Sequence, residues 1–332
     1  MEGNAPGHHA CWRMTGGRRV TPAPFLVAGI VNITPDSFSD GGRCIHPDNA
    51  LLRVCEIADE GADIVDLGAE STRPGAQNIG GKEEWQRLEP VLERVLSLRA
   101  KNAQTMSTLK GPHHRSFAVS IDTFRAETAI LALSTGQDGN RVDIVNDISG
   151  GLFDPAMDEV LAQFRPGYIL GHSPARPDIM QDKPRYANVV DDVLHWFVSR
   201  MNTLVKAGLP EECICLDPCI GFGKNPDHNL ALCFAVPRFA ALGRPLCYGV
   251  SRKRFLDHLT ERDGITSCSS PSGHCDRNSM TQQLVARLAG AGVAIHRVHQ
   301  VAETAVTLEE VADTGSAQRP LNDGTTSTQR AL

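Results

Sequence analysis

Side chains that could bind or polarise a ligand recur in this chain just after short apolar segments. The first example is the segment 29–42, in which an apolar run that begins at Phe25 ends at Asn32. The loop that follows carries two carboxylates, three hydroxyls and a Gly-Gly pair. Apolar runs bounded by turn residues are typical of buried strands, and α/β proteins bind ligands just beyond the C-terminal ends of such strands. The segment therefore predicts a ligand-binding loop.

Polar or charged residues follow nearly every later apolar run in the same way. In chain order the strand ends are Asn32, then Asp66 with Arg73, then Asp122, residues 146–147, His172, Asp217 with residues 221–224, residues 251–253, and Arg297 with His299. A scaffold built only for stability does not need polar groups at so many strand ends. We interpret the set as one site.

One group of these residues suits a flat heterocycle that carries amino and ring N–H donors. Asp122, Asn146 and Asp217 supply carboxylate and amide acceptors, and a carboxylate can accept two parallel N–H bonds from a guanidine-like edge. Lys253 can donate to a carbonyl on the same ring.

A second group suits an anion. Arg73, Arg297, His299 and the amide of Asn32 are side chains that bind phosphate or pyrophosphate. A substrate with a heterocycle at one end and a phosphate at the other would use both groups.

Several of these residues also have structural interpretations. Asp122 could be a helix N-cap, and residues 146–147 could close a turn. Arg297 and His299 alternate on one predicted strand and could be paired in salt bridges. Lys224 could be a solvated surface charge.

The elements that would position the site alternate regularly along the chain. The predicted strands are 25–31, 64–67, 118–121, 144–145, 168–170, 213–216, 246–250 and 293–298. Helical candidates between them include 48–60, 83–101, 126–134, 189–206 and 280–289. Eight such units favour an α/β fold of the (β/α)8 TIM barrel type in a single domain at 21–312. An open doubly wound sheet is less favoured because no Gly-rich dinucleotide turn follows the first strand.

Composition sets the remaining bounds. The chain has 332 residues and a net charge of -6, which argues against a general nucleic-acid or membrane surface. It has no apolar run long enough to cross a bilayer and no signal-peptide pattern, so we predict a soluble cytoplasmic protein. Residues 1–20 and 313–332 are polar and aperiodic, which predicts disordered tails. Residues 102–116 and 262–278 are predicted surface insertions.

The ten cysteines are scattered through apolar segments, which indicates reduced thiols rather than a disulfide scaffold. Cys219 is interpreted as a packing thiol, because no paired base is evident to activate it. Cys268, His274 and Cys275 could bind zinc, although their spacing is irregular.

Taken in order, these motifs resemble those of the dihydropteroate synthase family, folate-pathway enzymes with a (β/α)8 barrel. The matching segments are 32–42, 70–75 (Glu-Ser-Thr-Arg-Pro-Gly), 120–123 (Ser-Ile-Asp-Thr), 146–150 (Asn-Asp-Ile-Ser-Gly), 217–224 (Asp-Pro-Cys-Ile-Gly-Phe-Gly-Lys), 251–253 (Ser-Arg-Lys) and 297–299 (Arg-Val-His). The resemblance implies condensation of 6-hydroxymethyl-7,8-dihydropterin pyrophosphate with p-aminobenzoate, which gives 7,8-dihydropteroate and pyrophosphate. It also implies a homodimer.

The resemblance assigns a role to each matching position. The pterin would be held by Asp122, Asn146, Asp217, Phe222 and Lys253. The pyrophosphate would be held by Asn32, Arg73, Arg297 and His299, with Asn32 also reaching a magnesium ion (Mg2+). p-Aminobenzoate would be surrounded by Thr72, Pro74, Phe222, Ser251 and Lys253. The loop with Asp36, Phe38 and Asp40 would close over the site with the loop 72–74, and Asp40, Asp122, Asp217 and Lys253 would be catalytic.

Three positions depart from the family pattern. Gly171 stands where Met is usual, which predicts the loss of an apolar contact with the pterin ring. Cys219 replaces a glycine, which predicts a backbone conformation that tolerates a Cβ atom. Gln300 replaces an acid and would keep a hydrogen bond without the charge.

Two other functions are compatible with parts of the pattern. A methyltetrahydrofolate-using methyltransferase would share the barrel and the pterin pocket, but it would not be expected to need the loop 71–75 or the Arg297–His299 pair. A catalytically silent paralogue would bind pterins without turnover, and the retained loops argue against it.

Overall fold

The sheet is a closed barrel of parallel strands. The computed structural model describes residues 11–20, 22, 24–34, 47–72, 75–76, 78–106, 117–137, 139–259 and 276–317. The barrel strands are β1 (Leu26–Asn32), β2 (Ile64–Gly68), β3 (Ala118–Asp122), β4 (Ile144–Asp147), β5 (Gly167–Gly171), β6 (Ile214–Asp217), β7 (Cys247–Tyr248) and β8 (Ile295–Val298). Their order is β6-β5-β4-β3-β2-β1-β8-β7, and a parallel bridge between Leu216 and Leu246 joins the two ends. The predicted TIM barrel is confirmed.

Helices surround the barrel. They are α1 (Pro47–Asp59), α2 (Gly81–Met106), α3 (Ala126–Ser134), α4 (Met157–Phe164), α5 (Val189–Ala207), α6 (Pro226–Phe234), α7 (Val236–Ala240), α8 (Arg277–Ala291) and α9 (Val301–Ala317). Within the described ranges, none of them combines the length and the apolar character that crossing a bilayer requires.

Helix α5 shows how the sequence sets these elements. The side chain of Asn188 accepts hydrogen bonds from the backbone N–H groups of Val190 and Asp191, so it caps the first turn. The buried residues Val189, Val193 and Phe197 recur at helical spacing and face the barrel. Gly208 ends the helix in the left-handed conformation, with φ of 115°.

The N-terminal ends of the strands enclose an apolar layer inside the barrel. Each strand contributes one inward side chain: Ala28, Ile64, Ala118, Ile144, Ile169, Cys215, Cys247 and Ile295. Trp12 and Met14 pack on the same layer, and the indole N–H of Trp12 donates to the carbonyl of Cys213 at 2.7 Å. This layer closes the bottom of the barrel.

Residues 11–20 correct one prediction. They were expected to belong to a disordered tail, but Trp12–Arg13 and Arg19–Val20 pair as an antiparallel hairpin. Trp12 is fully buried, and burial of a side chain of this size stabilises a fold substantially. Strands of two residues carry no periodicity, which is why the pattern missed them. Residues 1–10 and 318–332 lie outside the described residues.

Three predicted boundaries also change. Helix α9 continues to Ala317, past the expected start of the C-terminal tail, and α2 continues to Met106. Helix α8 begins at Arg277, inside the expected insertion. Cys268, His274 and Cys275 lie outside the described residues.

Candidate active site

The candidate site lies one layer above the apolar layer, on the same inward-facing positions. Side chains on a strand alternate between its two faces, so residues two positions apart point the same way. Two positions beyond the apolar layer, the strands carry Asp66, Asn146, Gly171, Asp217 and Arg297. Asn32 and Asp122 stand four positions beyond it, at the ends of β1 and β3. Strand geometry thus directs the predicted residues toward one mouth of the barrel.

Arg297 is the centre of this layer. Its Nε donates to Oδ2 of Asp66 at 2.6 Å, and its NH2 donates to Oδ2 of Asp122 at 2.7 Å. Asn146 Nδ2 also donates to Oδ2 of Asp66, at 3.1 Å. The structural alternative for Arg297 therefore describes its contacts correctly, since it is ion-paired to the buried Asp66 and to the partly buried Asp122.

The pKa of Asp122 reflects opposing effects of burial and of the neighbouring charges. Burial raises the pKa of Asp122 to about 7, and Asp66 adds to this effect while Arg297 opposes it. Since a carboxylate in a low-dielectric site is costly when ionised, Asp122 depends on Arg297 to stay charged. Asp122 is not a helix N-cap, because Arg125 occupies that position of α3.

Asp217 and Lys253 form the opposite part of the site. Asp217 Oδ1 accepts from the backbone N–H of Cys219 at 2.7 Å. Burial raises the pKa of Asp217, and the nearby charges of Lys253 and Arg297 lower it. The Lys253 ammonium donates to the carbonyl of Ile220 and lies 4.8 Å from the centre of the Phe222 ring. Burial lowers the pKa of Lys253, whereas Asp217 raises it.

Ser251 joins the two predicted substrate sets. Its Oγ lies 3.1 Å from Nδ1 of His299 and accepts from the His299 backbone N–H at 3.3 Å. His299 was assigned to the pyrophosphate and Ser251 to p-aminobenzoate. The contact shows that residues assigned to the two predicted subsites are neighbours.

The loop after β2 is anchored by charge. Arg125 makes two hydrogen bonds to the carboxylate of Glu70, at 2.7 and 3.0 Å, and Glu70 Oε1 also accepts from the backbone N–H of Ile79 at 3.1 Å. A bidentate pair of this kind fixes orientation as well as distance. The hydrogen bonds to Glu70 therefore fix the beginning of this loop. Thr72, two residues further along, is half-buried.

Five predicted site residues cannot be placed in this geometry. Asp36, Phe38, Asp40, Arg73 and Pro74 lie outside the described residues.

Comparison with known proteins decides the family. A family described as pterin binding enzyme matches residues 28–299, a range that covers β2 to β8 and all but the first two residues of β1. The chain belongs to this family.

Similar proteins include one named dihydropteroate synthase and one named folate synthesis bifunctional protein. The Mycobacterium leprae enzyme is 36% identical over 281 residues, which cover 83% of this chain and 89% of the relative. The chain is also 37% identical over 290 residues to a mitochondrial folate synthesis bifunctional protein of Arabidopsis thaliana. It spans only about half (48%) of that longer relative.

Solved structures of dihydropteroate synthases superpose on most of the chain. The Yersinia pestis dihydropteroate synthase in complex with a sulfonamide drug gives a TM-score of 0.75 at 29% identity, covering 91% of this chain and 98% of that one. The Xanthomonas albilineans dihydropteroate synthase with 4-aminobenzoic acid gives 0.75 at 32% identity, covering 93% and 100%.

Two departures from the family pattern are neighbours in space. A Cβ atom at Gly171 would lie 2.6 Å from the carbonyl oxygen of Asp147 and 2.8 Å from Sγ of Cys219. Glycine is therefore required at 171 by close backbone approach. The thiol of Cys219 packs with Phe124 and Ile148 beside Phe222, as expected for a packing thiol, and so supplies apolar contact in the region where a Met is absent.

The Cys219 backbone adopts a conformation that tolerates a Cβ atom but is uncommon for residues other than glycine. Its φ is 51°, which lies in the left-handed region that favours glycine, so the cysteine retains the glycine-like conformation. Gln300 gives a different outcome. Within the described residues, its buried Oε1 accepts no hydrogen bond, so the amide does not take over an acid's contact there.

The structure shows contacts of three strand-end residues that the sequence pattern did not establish. Asp66 was seen only as a strand end, and its pairing with Arg297 had no local signal. Asp147 closes a turn, as the structural alternative proposed: its carboxylate accepts from Ser149, Gly151 and Tyr168. Lys224 was interpreted as a possible surface charge, but it is only 3% exposed.

Proposed function

We propose that this chain is a dihydropteroate synthase, a transferase that joins 6-hydroxymethyl-7,8-dihydropterin pyrophosphate to p-aminobenzoate. The observation that carries the proposal is the convergence of Asp122, Asn146, Asp217, Lys253 and Arg297 at one mouth of the barrel. Family membership over residues 28–299 supports it. One solved relative is the Xanthomonas albilineans dihydropteroate synthase in complex with 7,8-dihydropteroate.

The buried acceptors would recognise the pterin. Asp122 and Asp217 would accept from its amino and ring N–H groups, Asn146 would bind its edge, and Lys253 would donate to its carbonyl. Because burial raises the pKa of both acids, their ionised forms gain strongly from N–H donors that replace lost water. Phe222 would pack on the ring beside Cys219.

The reaction would be a substitution at the methylene carbon of the pterin. The carbon–oxygen bond to pyrophosphate breaks and pyrophosphate leaves. The arylamine nitrogen forms a carbon–nitrogen bond and then loses a proton to solvent. Arg297 and His299 would stabilise the negative charge that develops on the leaving group. An aniline-type nitrogen is already nucleophilic, so no strong base is needed next to it.

The p-aminobenzoate site would lie on the side of Ser251. Ser251, Lys253, Phe222 and Thr72 are the described members of the predicted set, and Pro74 is the remaining one. The roles of Asp40 in catalysis, of Arg73 on the pyrophosphate and of Pro74 on p-aminobenzoate stay predictions.

Magnesium is a further part of the proposal. Mg2+ usually takes one or two protein oxygens and completes its shell with water and substrate phosphates. Asn32 offers one amide oxygen at the end of β1, a donor set that fits an ion arriving with pyrophosphate. When bound, the ion would absorb charge on the leaving group. A homodimer and a cytoplasmic location also stay predictions.

An assay of pyrophosphate release tests the proposed reaction. Purified protein is mixed with dihydropterin pyrophosphate, p-aminobenzoate and magnesium, and we expect release that requires the arylamine. No release above a heat-denatured control would overturn the proposal. Pterin binding without release would instead indicate a silent paralogue, and methyl transfer from methyltetrahydrofolate would indicate a methyltransferase.

Arg297→Ala tests whether Arg297 binds the pyrophosphate group of the pterin substrate. We expect affinity for the pyrophosphate-bearing pterin to fall about 100-fold and for a bare pterin about tenfold, since Arg297 would bind phosphate and also neutralises Asp66 and Asp122. Isothermal titration of both ligands measures this. Arg238→Ala, which breaks an exposed pair with Asp191, is the control. Equal losses for the two ligands would show that Arg297 serves only the acids.

A further inference from the structure

The turn at residues 220–223 is held in an unusual way. Each of its four successive carbonyl oxygens accepts a hydrogen bond from a different side chain. The donors are Lys253 to Ile220, Gln181 to Gly221 at 2.6 Å, Lys224 to Phe222 at 2.9 Å and Tyr186 to Gly223 at 3.0 Å. We call residues 220–223 the carbonyl-bound turn. It carries Phe222, a predicted wall of the arylamine site.

Lys224 is the donor that costs the most to place there. It is 3% exposed, and its ammonium donates to the carbonyls of Phe222 and His172 at 2.9 Å each. Nδ1 of His172 lies 3.2 Å away. These three neutral acceptors match the three N–H bonds of an ammonium, yet none of them is a carboxylate that would offset burial of the charge.

The buried ammonium of Lys224 links the segments that follow two neighbouring strands, β5 and β6. His172 directly follows β5, and its ring packs edge-on against Trp196 of α5, with ring centres 4.9 Å apart. The residue is therefore a fixed point. Lys224 links it to the carbonyl of Phe222, on the loop that follows β6.

We propose that Lys224 is a positioning residue for the arylamine: its ammonium fixes the carbonyl-bound turn against His172 and so sets the position of the Phe222 ring that p-aminobenzoate contacts. The inference rests on the proposed function. Lys224 itself does not touch the substrate; it acts through Phe222. A lysine kept only for packing would be replaced without a selective effect on one substrate.

Because Lys224 can lose its charge, the number of hydrogen bonds that hold the carbonyl-bound turn depends on pH. Burial lowers the pKa of Lys224 to about 7, while Cys219 and Asp217 act in the opposite direction. Below that pH the ammonium donates three hydrogen bonds, and above it the neutral amine donates two. The groups that face it are His172, Asp217, Cys219, Lys253, His228 and Tyr186. Burial and the charge of Lys224 lower the pKa of His172 to about 3, so His172 stays neutral across the range tested.

Lys224→Met is the test, with steady-state KM measured for each substrate while the other is saturating. We expect KM for p-aminobenzoate to rise about tenfold. KM for the pterin substrate should change less than about threefold, because Asp122, Asn146 and Asp217 would still hold the pterin when Phe222 shifts. Between pH 6 and 8.5, wild-type KM for p-aminobenzoate should rise, and this rise should be smaller in the variant. Lys206→Met, at an exposed position of α5, should match the wild type in both constants.

Tyr186→Phe keeps the inference testable if Lys224→Met does not fold. It removes one hydroxyl and frees the Gly223 carbonyl, so KM for p-aminobenzoate should rise about threefold. An unchanged KM for p-aminobenzoate in the folded variant, or equal rises for both substrates, would overturn the inference. Absence of turnover in the wild type would instead overturn the proposed function.

Discussion

The bottom and the mouth of this barrel use the same inward-facing strand positions for opposite purposes. At the bottom, the strands contribute Ala, Ile or Cys side chains that are at most 2% exposed, and the hairpin at residues 11–20 covers them. Two residues further along the strands, the inward-facing positions carry Asp66, Asn146, Asp217 and Arg297. The apolar layer at the bottom stabilises the fold, whereas the layer at the mouth holds charged side chains whose burial opposes folding.

The contrast indicates that stability depends mainly on the bottom of the barrel and activity mainly on its mouth. Burial raises the pKa of Asp122 and Asp217, so at neutral pH their ionised forms work against folding. The apolar layer below must offset that cost. We therefore expect substitutions at the mouth to change activity and substitutions at the bottom to change stability.

The largest effect should come from Asp217→Asn at the mouth. We expect kcat/KM to fall about 10²–10⁴-fold, because the variant loses a charged acceptor for the pterin edge. The free energy of unfolding should not fall, since a buried carboxylate with a raised pKa is removed. Steady-state kinetics and denaturant unfolding measure the two quantities. A large loss of stability would contradict the separation.

Trp12→Ala should have the next largest effect, and at the opposite end. Loss of a fully buried tryptophan should lower the free energy of unfolding by about 3–5 kcal/mol, with kcat/KM unchanged in the folded protein. Arg13→Ala is the matched control on the same hairpin, because its ion pair with Glu212 is partly exposed and is worth about 0–1 kcal/mol. Reduced kcat/KM in folded Trp12→Ala would show that the two layers are coupled.

The smallest effect should be a pH dependence at Asp122. Its pKa is about 7 in the folded chain and about 3.9 when unfolded, so its stabilising contribution is present below the lower value and is lost as pH rises through the upper one. Relative to Asp122→Asn, the wild type should lose on the order of 1–2 kcal/mol across this window, less than an isolated group because Asp66 shares Arg297.

Unfolding free energies measured from pH 4 to 8 would check this sign. Asp257 is the control, because the hydrogen bond from Arg277 lowers its pKa. Its stabilising effect is lost only as pH falls below about 3.9, so Asp257→Asn should run parallel to the wild type between pH 4 and 8. Parallel profiles for the wild type and Asp122→Asn would contradict the expectation.

The sequence predicted those parts of the molecule that depend on periodicity. All eight barrel strands were located because buried parallel strands are continuous apolar runs, and the polar residues at their ends followed. The pairing of Arg297 with Asp66 and Asp122 could not be derived, because it depends on which side chains meet across three strands. The burial and contacts of Lys224 could not be derived for a similar reason: its acceptors include two backbone carbonyls, which leave no trace in a pattern of side chains.

The hydrogen bond from Trp12 to Cys213 joins residues 201 positions apart. At ribosomal rates of about 5–20 residues per second, the hairpin emerges roughly 10–40 seconds before the segment that accepts this bond. During that interval the indole has no completed barrel to enter. The bond can therefore form only after five of the eight barrel strands have been synthesised, so the hairpin, which is made before all of these strands, is late to reach its native contacts.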